Sequence, residues 1–351
     1  MIAFDSSSST VDSPVMAVFG PALAQLREES LEHFNSASVA IEPLSCMVRQ
    51  GSRLLRVRIR TDSESFFAYV KLYNVDGCTP EYIGLMRQRG VRDFETTRRV
   101  HLLMQSVSGI STLRPIAFLP DHLAVVTEEV HGTTLGQLLT KKAGWYQERE
   151  PLDDLCTVMA RIGVWLRTVQ TLDVPSARFS LDGMKEYLDV RLVRLVRHGG
   201  LAAQERCGIL RFVDKRCADV AEADLQEVVI HGDLSPSNVM IAGTNVTVLD
   251  FEMWRTGSVF HDVSRIYHQI ELRKLKPWFK PSALDRLLEA TIAGFDPTLS
   301  PERPLFELLT LQHVINKLTK LTTQPVGRLS GAYSWYVTQC LRRWLRTRGL
   351  N

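Results

Sequence analysis

The chain lacks paired cysteines. Its six, at positions 46, 78, 156, 207, 217 and 340, are scattered and none forms a CxxC spacing. In a chain of 351 residues this argues against a disulfide framework or a zinc ribbon and points to a reducing compartment. No apolar run approaches the roughly 18–20 residues that cross a bilayer. The early apolar stretch "VMAVFGPALA" follows Asp5 and Asp12 with no basic residue before it, the wrong charge pattern for a secretory signal. A strong charge of one sign is also missing, and a formal net charge of +3 is too small to imply a nucleic-acid partner. No internal repeat is visible. The expected setting is soluble and cytoplasmic.

What is present is ordinary for a globular protein: 45% hydrophobic and 23% charged residues, in a chain long enough to form two lobes. Residues 1–14, "MIAFDSSSSTVDSP", are Ser-rich with little to bury and are expected to be disordered. Apolar residues at 19, 23, 26, 31 and 34 predict an amphipathic helix. Alternation in "RLLRVRIRT" and the following "FFAYVKLYN" predicts consecutive antiparallel strands across the turn "DSES". A helix is expected at about Val91–Ser106, then strands in "LRPIAFLP" and "LAVVTEEV". After Gly132 the texture is mostly helical, as in "DDLCTVMARIGVWLRTVQTL" and "LDGMKEYLDVRLVRLVRHGG". The expected fold class is α+β. A small β-rich lobe over residues 15–130 carries a leading helix, and a larger, mainly helical lobe covers 131–351.

Two short strands interrupt the helical half. "VVIHGDLSPSNVMI" places Asp233 and Asn238 in a loop that Pro236 and small residues keep from becoming helix, and "VTVLDFEMW" ends a strand on Asp250. An isolated HxD is usually a turn with a side-chain-to-backbone hydrogen bond. Phosphoryl transfer from a nucleotide, however, needs this inventory of groups: a carboxylate beside the acceptor hydroxyl, oxygen ligands for Mg²⁺ and a lysine on the phosphates.

His231-Gly232-Asp233-Leu234-Ser235-Pro236-Ser237-Asn238 followed by Asp250-Phe251-Glu252 resembles the kinase-like small-molecule phosphotransferases of the aminoglycoside phosphotransferase and choline kinase group. The resemblance covers roughly residues 45–270 and implies a bilobal protein-kinase-like fold, with ATP and Mg²⁺ as cofactors. It implies that Asp233 orients or deprotonates the acceptor hydroxyl and that Asn238 and Asp250 bind the metal. Lys71 in "FFAYVKLYN" would anchor the nucleotide phosphates, paired with Glu95 of the following helix. Glu129 and Val130 would present backbone groups to adenine, and Ser52 would sit by the phosphates. Asp262, in "GSVFHDVSRIYHQI", would brace the catalytic loop, with His231 structural. The loop "VRQGSR" departs from the group's glycine-rich cover by having Gly51 alone.

The implied function is transfer of the γ-phosphate to a hydroxyl of a small molecule such as a sugar or amino alcohol. Two alternatives stand beside it. One is a protein kinase of the RIO kind, whose loop also reads His-x-Asp-Leu-Ser; Glu252, where protein kinases carry Gly, counts against it. The other is a catalytically silent nucleotide-binding protein. From His231 onward, Lys and Arg outnumber Asp and Glu. That disfavours polycationic aminoglycosides and leaves sugars, amino alcohols and phosphorylated or lipid-linked metabolites. The tail "CLRRWLRTRGLN" suits either an anionic membrane surface or a helix packed on the lobe.

Overall fold

The period-two pattern of the first half and the helical periodicity of the second both appear in the computed structural model, which describes residues 13–48, 51–145, 152–173, 177–323 and 328–347. Most of the segment expected to be disordered, residues 1–12, lies outside the described residues, while Ser13 and Pro14 begin the first helix. Two units divide the chain. The first runs to Gly132 and takes in Met240–Trp254; the second holds Thr133–Val239 and Arg255 onward. The strand ending at Val248 explains why the later segment groups with the first unit. Val246 N–H donates to Gly109 O (3.1 Å) and Val246 O accepts from Ser111 N–H (2.9 Å).

In the first unit α1 (Ser13–Glu28) and α2 (Ser30–Phe34) precede β1 (Ala40–Val48), β2 (Ser52–Arg60) and β3 (Ser65–Tyr73). Then come α3 (Pro80–Met104), β4 (Pro115–Leu119) and β5 (Ala124–Glu128). The five strands form one antiparallel sheet in the order β1-β2-β3-β5-β4. Alternation decides its faces. Leu55, Val57 and Ile59 of β2 are fully buried, and α1 lays Phe19, Leu23 and Leu26 into the same core. A second cluster of Tyr73, Met86, Leu123 and Val125, with Phe94 and Phe118 against it, includes residues of α3. Each large apolar side chain enclosed this way contributes about 1.5–3 kcal/mol. Helix α3 starts well before the expected Val91. Thr79 caps it, its side chain accepting from Tyr82 N–H, and Pro80 fills the first helical position, where a missing N–H costs nothing.

The second unit opens with β6 (Thr133–Thr134), whose Thr134 caps α4 (Leu135–Lys142), followed by α5 (Leu152–Val169), α6 (Leu181–Arg197) and α7 (Ala203–Ala218). Strand β7 (Glu227–Ile230) leads to the loop that carries Asp233 and Asn238; the hairpin of β8 (Val239–Ala242) and β9 (Asn245–Val248) that follows belongs, from Met240 on, to the first unit. Strand β10 (Arg255–Ser258) pairs antiparallel with β7. Helices α8 (His261–Glu271), α9 (Pro281–Phe295), α10 (Pro304–Thr323) and α11 (Arg328–Thr347) complete the unit. The described part of the basic tail is packed: Val337, Leu341 and Leu345 of α11 are buried, and Arg342 and Arg346 pair with Glu205 at 3.2 and 3.5 Å. Among the described residues no helix is long and apolar enough to cross a membrane.

Helices α5 and α9 approach at backbone contact, and glycine permits it. A Cβ on Gly163 would lie 2.4 Å from Thr291 O and Phe295 N, and one on Gly294 would lie 2.0 Å from Ala160 O. Gly163→Ala gains about 1 kcal/mol of helix propensity. The clash is with backbone, which cannot rotate away, so overpacking wins. A net loss of about 1–3 kcal/mol is expected in denaturant unfolding. Gly84→Ala, on the exposed side of α3 with nothing within 4 Å of its Cβ, is the control and should be neutral or stabilising.

Candidate active site

Lys71 stands near the end of β3, whose alternation sends its side chain into a polar cluster of the first unit. Its Nζ is 3.0 Å from Asp250 Oδ1, 3.1 Å from Asp93 Oδ2 and 3.6 Å from Glu252 Oε2. Asp93 is nearly enclosed and fully engaged: Oδ2 also accepts from the Tyr73 hydroxyl (3.1 Å), and Oδ1 from Phe251 N–H (3.0 Å). One buried carboxylate thus ties the lysine to the backbone of the Asp-Phe-Glu segment. Burial pulls the Lys71 pKa down, but Asp93 and then Asp250 outweigh it and hold the ammonium well above the usual lysine value. Burial pushes the Glu252 carboxyl up, with Lys71 opposing and Asp250 and Asp93 adding to the rise.

Glu95 does not take part. It forms an ion pair with Arg98 at 3.0 Å, with its side chain 47% exposed. The reason is helical register: two residues along α3 turn the side chain through about 200°, so Asp93 faces the sheet and Glu95 faces solvent. The partner of Lys71 is therefore Asp93, and the expectation of Glu95 is corrected. Asp93 sits in the buried stripe Met86, Gly90, Asp93, Thr97, Val100 and Met104. A lone carboxylate in such a stripe demands a partner, and that was the available signal.

Asp250 adopts a left-handed backbone, φ +71°. This is uncommon for a non-glycine residue and is found where the surroundings fix a side chain for a purpose. Three carboxylates around one ammonium leave a local surplus of negative charge, though among the described residues no group of three or more His, Cys, Asp or Glu is arranged to hold a metal ion alone. Hard oxygen donors of this type fit Mg²⁺, which one or two protein ligands hold while phosphate oxygens and water complete the shell. Ser52 is the first residue of β2, largely enclosed and opposite Tyr73 in the pairing of β2 with β3. Arg53 is taken up by Asp76 at 2.6 Å. Glu129 N–H donates to Phe67 O (2.8 Å) and its carboxylate is held by Arg56 (2.8 Å), so its side chain is committed and Val130 follows it off the sheet.

The second unit shapes the loop after β7. Asp262, in the first turn of α8, accepts from His231 N–H (2.6 Å) and Gly232 N–H (3.0 Å), bracing the turn at Gly232, φ +78°. His231 is fully buried against the Trp165 ring, and its Nδ1 accepts from Asp233 N–H (3.3 Å). An acceptor Nδ1 places the ring proton on Nε2, which suits a structural histidine. Asn238 Nδ2 donates to Asp233 O (3.1 Å) and its Oδ1 accepts from the Ser237 hydroxyl (3.4 Å), which fixes the orientation of the amide. The Asp233 carboxylate is paired with Arg265 of α8, whose Nε also donates to Leu234 O (3.1 Å). Sequence reading missed Arg265. It lies three residues beyond Asp262, on the helix face that looks back at the loop.

Behind this loop lie three buried histidines. His313 of α10 has its ring centroid 5.4 Å from His261 and 6.1 Å from His268. Burial drives all three toward the neutral form, His261 to about 4 and His268 to about 3, with Arg265 opposing protonation as well. Each folded pKa is below the unfolded value, so the unfolded chain takes up protons first as pH falls. Stability is full above about pH 6.5 and is lost progressively toward pH 3–4, at about 1.4 kcal/mol per unit for each fully protected group. The urea midpoint should therefore drop from pH 7 to pH 5, with a shallower slope in His313→Asn. A midpoint independent of pH over that window would refute the account.

A family model described as "phosphotransferase enzyme family" matches residues 81–305. Among solved structures, the chain is similar to a Ralstonia eutropha protein described as "a putative aminoglycoside phosphotransferase", with 10% identity, 92% of this chain and 95% of that one covered, and a TM-score of 0.59. It is also similar to a choline/ethanolamine kinase family protein from Mesorhizobium loti (14%, 95% and 98% covered, TM-score 0.54). A third is the ternary complex of APH(2'')-IIa with streptomycin and ATP (11%, 90% and 96% covered, TM-score 0.50). At these identities the likeness is one of fold: the kinase-like α+β architecture, with a small antiparallel sheet toward the N-terminus and helices toward the C-terminus. No curated protein matches the sequence.

Proposed function

The chain belongs to the phosphotransferase enzyme family, and we propose that it transfers the γ-phosphate of ATP, with Mg²⁺, to a hydroxyl group of a small molecule. The observation that carries this reading is the Lys71 cluster. A buried ammonium, held by Asp93 and by Asp250 in a strained conformation, is what a phosphate-positioning lysine requires. ATP is the nucleotide in one of the similar structures, which supports it as the donor.

In this reading Lys71 anchors the nucleotide phosphates, and Asp93 keeps its ammonium charged and oriented. Backbone groups at Glu129 and Val130 meet the adenine, and Ser52 lies at the strand end by the phosphates. Asp250 and Asn238 would hold Mg²⁺, which when bound neutralises phosphate charge. Asp233 receives the acceptor's proton while Arg265 fixes its carboxylate.

The test is ATP consumption against a panel of hydroxyl compounds, read alongside nucleotide binding. Asp250→Ala is expected to lose Mg²⁺-dependent ATP binding by about tenfold or more, as second-sphere and ligand losses at metal sites typically do. Undiminished Mg²⁺-dependent binding in that variant would remove Asp250 from the metal.

A further inference from the structure

A cavity of about 430 Å³ opens in the second unit beside the proposed base. That volume falls in the range of small-molecule sites. Asp233 is its one carboxylate, and Arg265 is already committed to it. The remaining wall carries Arg273 and Lys276, from the 3₁₀ turn Leu272–Leu275 that follows α8 and the residue after it, and Lys317 and Lys320 from α10. None of these four pairs with a carboxylate among the described residues. Lys276 instead rests over the rings of Trp278 and Tyr333, at 5.7 and 5.5 Å.

Arg273, which donates to Gln269 O (2.9 Å), Lys276 and Lys317 are partly enclosed and Lys320 is exposed, so like charges gather on one concave wall. Burial and then the neighbouring Arg273 and Lys317 push the Lys276 pKa down; burial and then Lys320 push down that of Lys317. No carboxylate acts in the other direction on either. His268 lines the same cavity, is 6% exposed, and leaves Nε2 without a hydrogen-bond partner. A concave wall of cations without carboxylate partners suits a polar, negatively charged ligand.

Building on the phosphotransferase reading, we infer that the acceptor is a soluble alcohol already bearing a phosphate monoester, its phosphate gripped by Arg273, Lys276, Lys317 and Lys320 and its free hydroxyl presented to Asp233. A single carboxylate would leave most of this wall uncompensated; a phosphate dianion with three acceptor oxygens uses it. An ammonium acceptor such as choline or an aminoglycoside would meet like charge at every turn. The acceptor oxygen forms a bond to the γ-phosphorus as its proton passes to Asp233. The bond from that phosphorus to the β,γ-bridging oxygen breaks, ADP leaves, and the product carries two phosphates.

The experiment is calorimetric binding to the full chain of a panel of phosphate monoesters, among them ribose 5-phosphate and glycerol 3-phosphate. Each is paired with its unphosphorylated parent, and choline is added as a cationic probe. At least one ester should bind about tenfold or more tightly than its parent, and weaken by a similar factor in Lys276→Gln and Lys317→Gln. Binding should also weaken with rising salt. Lys71→Ala should leave ester binding in place, which separates this site from one for nucleotide phosphates.

If no ester outbinds its parent, if choline binds best, or if the lysine variants bind the ester as wild type does, the inference is overturned. Preference for phosphatidylinositol vesicles over every soluble ester would overturn the soluble class. ATP·Mg²⁺ binding measured in parallel reports on the phosphotransferase reading alone, so the two can fail separately.

Discussion

Asp233→Asn is expected to cut phosphoryl transfer by roughly 10²–10⁴-fold while leaving ATP·Mg²⁺ binding within about twofold of wild type. The carboxamide has the same shape, and its oxygen can still accept from Arg265, but it cannot take up the acceptor's proton. The loop itself does not depend on the Asp233 carboxylate. Asp262 holds its turn through His231 and Gly232 N–H, and Gly136 N–H donates to Pro236 O at 2.8 Å. The Asp233 side chain is 47% exposed, so the substitution should move stability by no more than about 0.5 kcal/mol. Steady-state turnover with the best acceptor, together with a nucleotide titration, is the measurement. Wild-type turnover in a folded Asp233→Asn would remove the base assignment. Loss of nucleotide binding as well would mean that the loop, rather than the proton transfer, had been damaged.

Much of this architecture could be read from local sequence because local physics determines it. Leu55, Val57 and Ile59 alternate with Arg56, Arg58 and Arg60, and only a strand with one buried face satisfies that pattern. The loop around Asp233 was visible because its functional groups lie within a few residues of one another, bounded by two short apolar runs. Helix α3 was harder. Its first eleven residues contain Gly84 and Gly90, which weaken the helical pattern there, although Thr79-Pro80-Glu81 is a sound start signal. The division of the chain was also hidden. Residues 240–254 group with the first unit through Val246, Asp250 and Phe251, whose partners lie far away in sequence. The cationic cavity was the least legible feature. Its lining runs from Asp233 to Val337, and no sequence pattern says which faces of α8, α10 and α11 meet.

The second large effect follows from the correction on α3. Asp93→Ala should destabilise the first unit by about 3–5 kcal/mol, the cost of stripping a buried charge of its partner. It removes acceptors for three donors together: Lys71 Nζ, the Tyr73 hydroxyl and Phe251 N–H. Asp93→Asn keeps the shape and loses less, yet it deprives the ammonium of its closest enclosed counter-charge. Phosphate-dependent nucleotide binding should weaken accordingly. Glu95→Ala removes only a surface pair with Arg98 and should change neither stability nor activity measurably. Denaturant unfolding and ATP titration on the three variants distinguish the two carboxylates. Equal effects of Glu95→Ala and Asp93→Asn on ATP affinity would contradict the arrangement around Lys71. A large Asp93→Asn effect beside a silent Glu95→Ala would show that the buried side of α3, two residues away from the more familiar-looking glutamate, positions the phosphate-binding lysine.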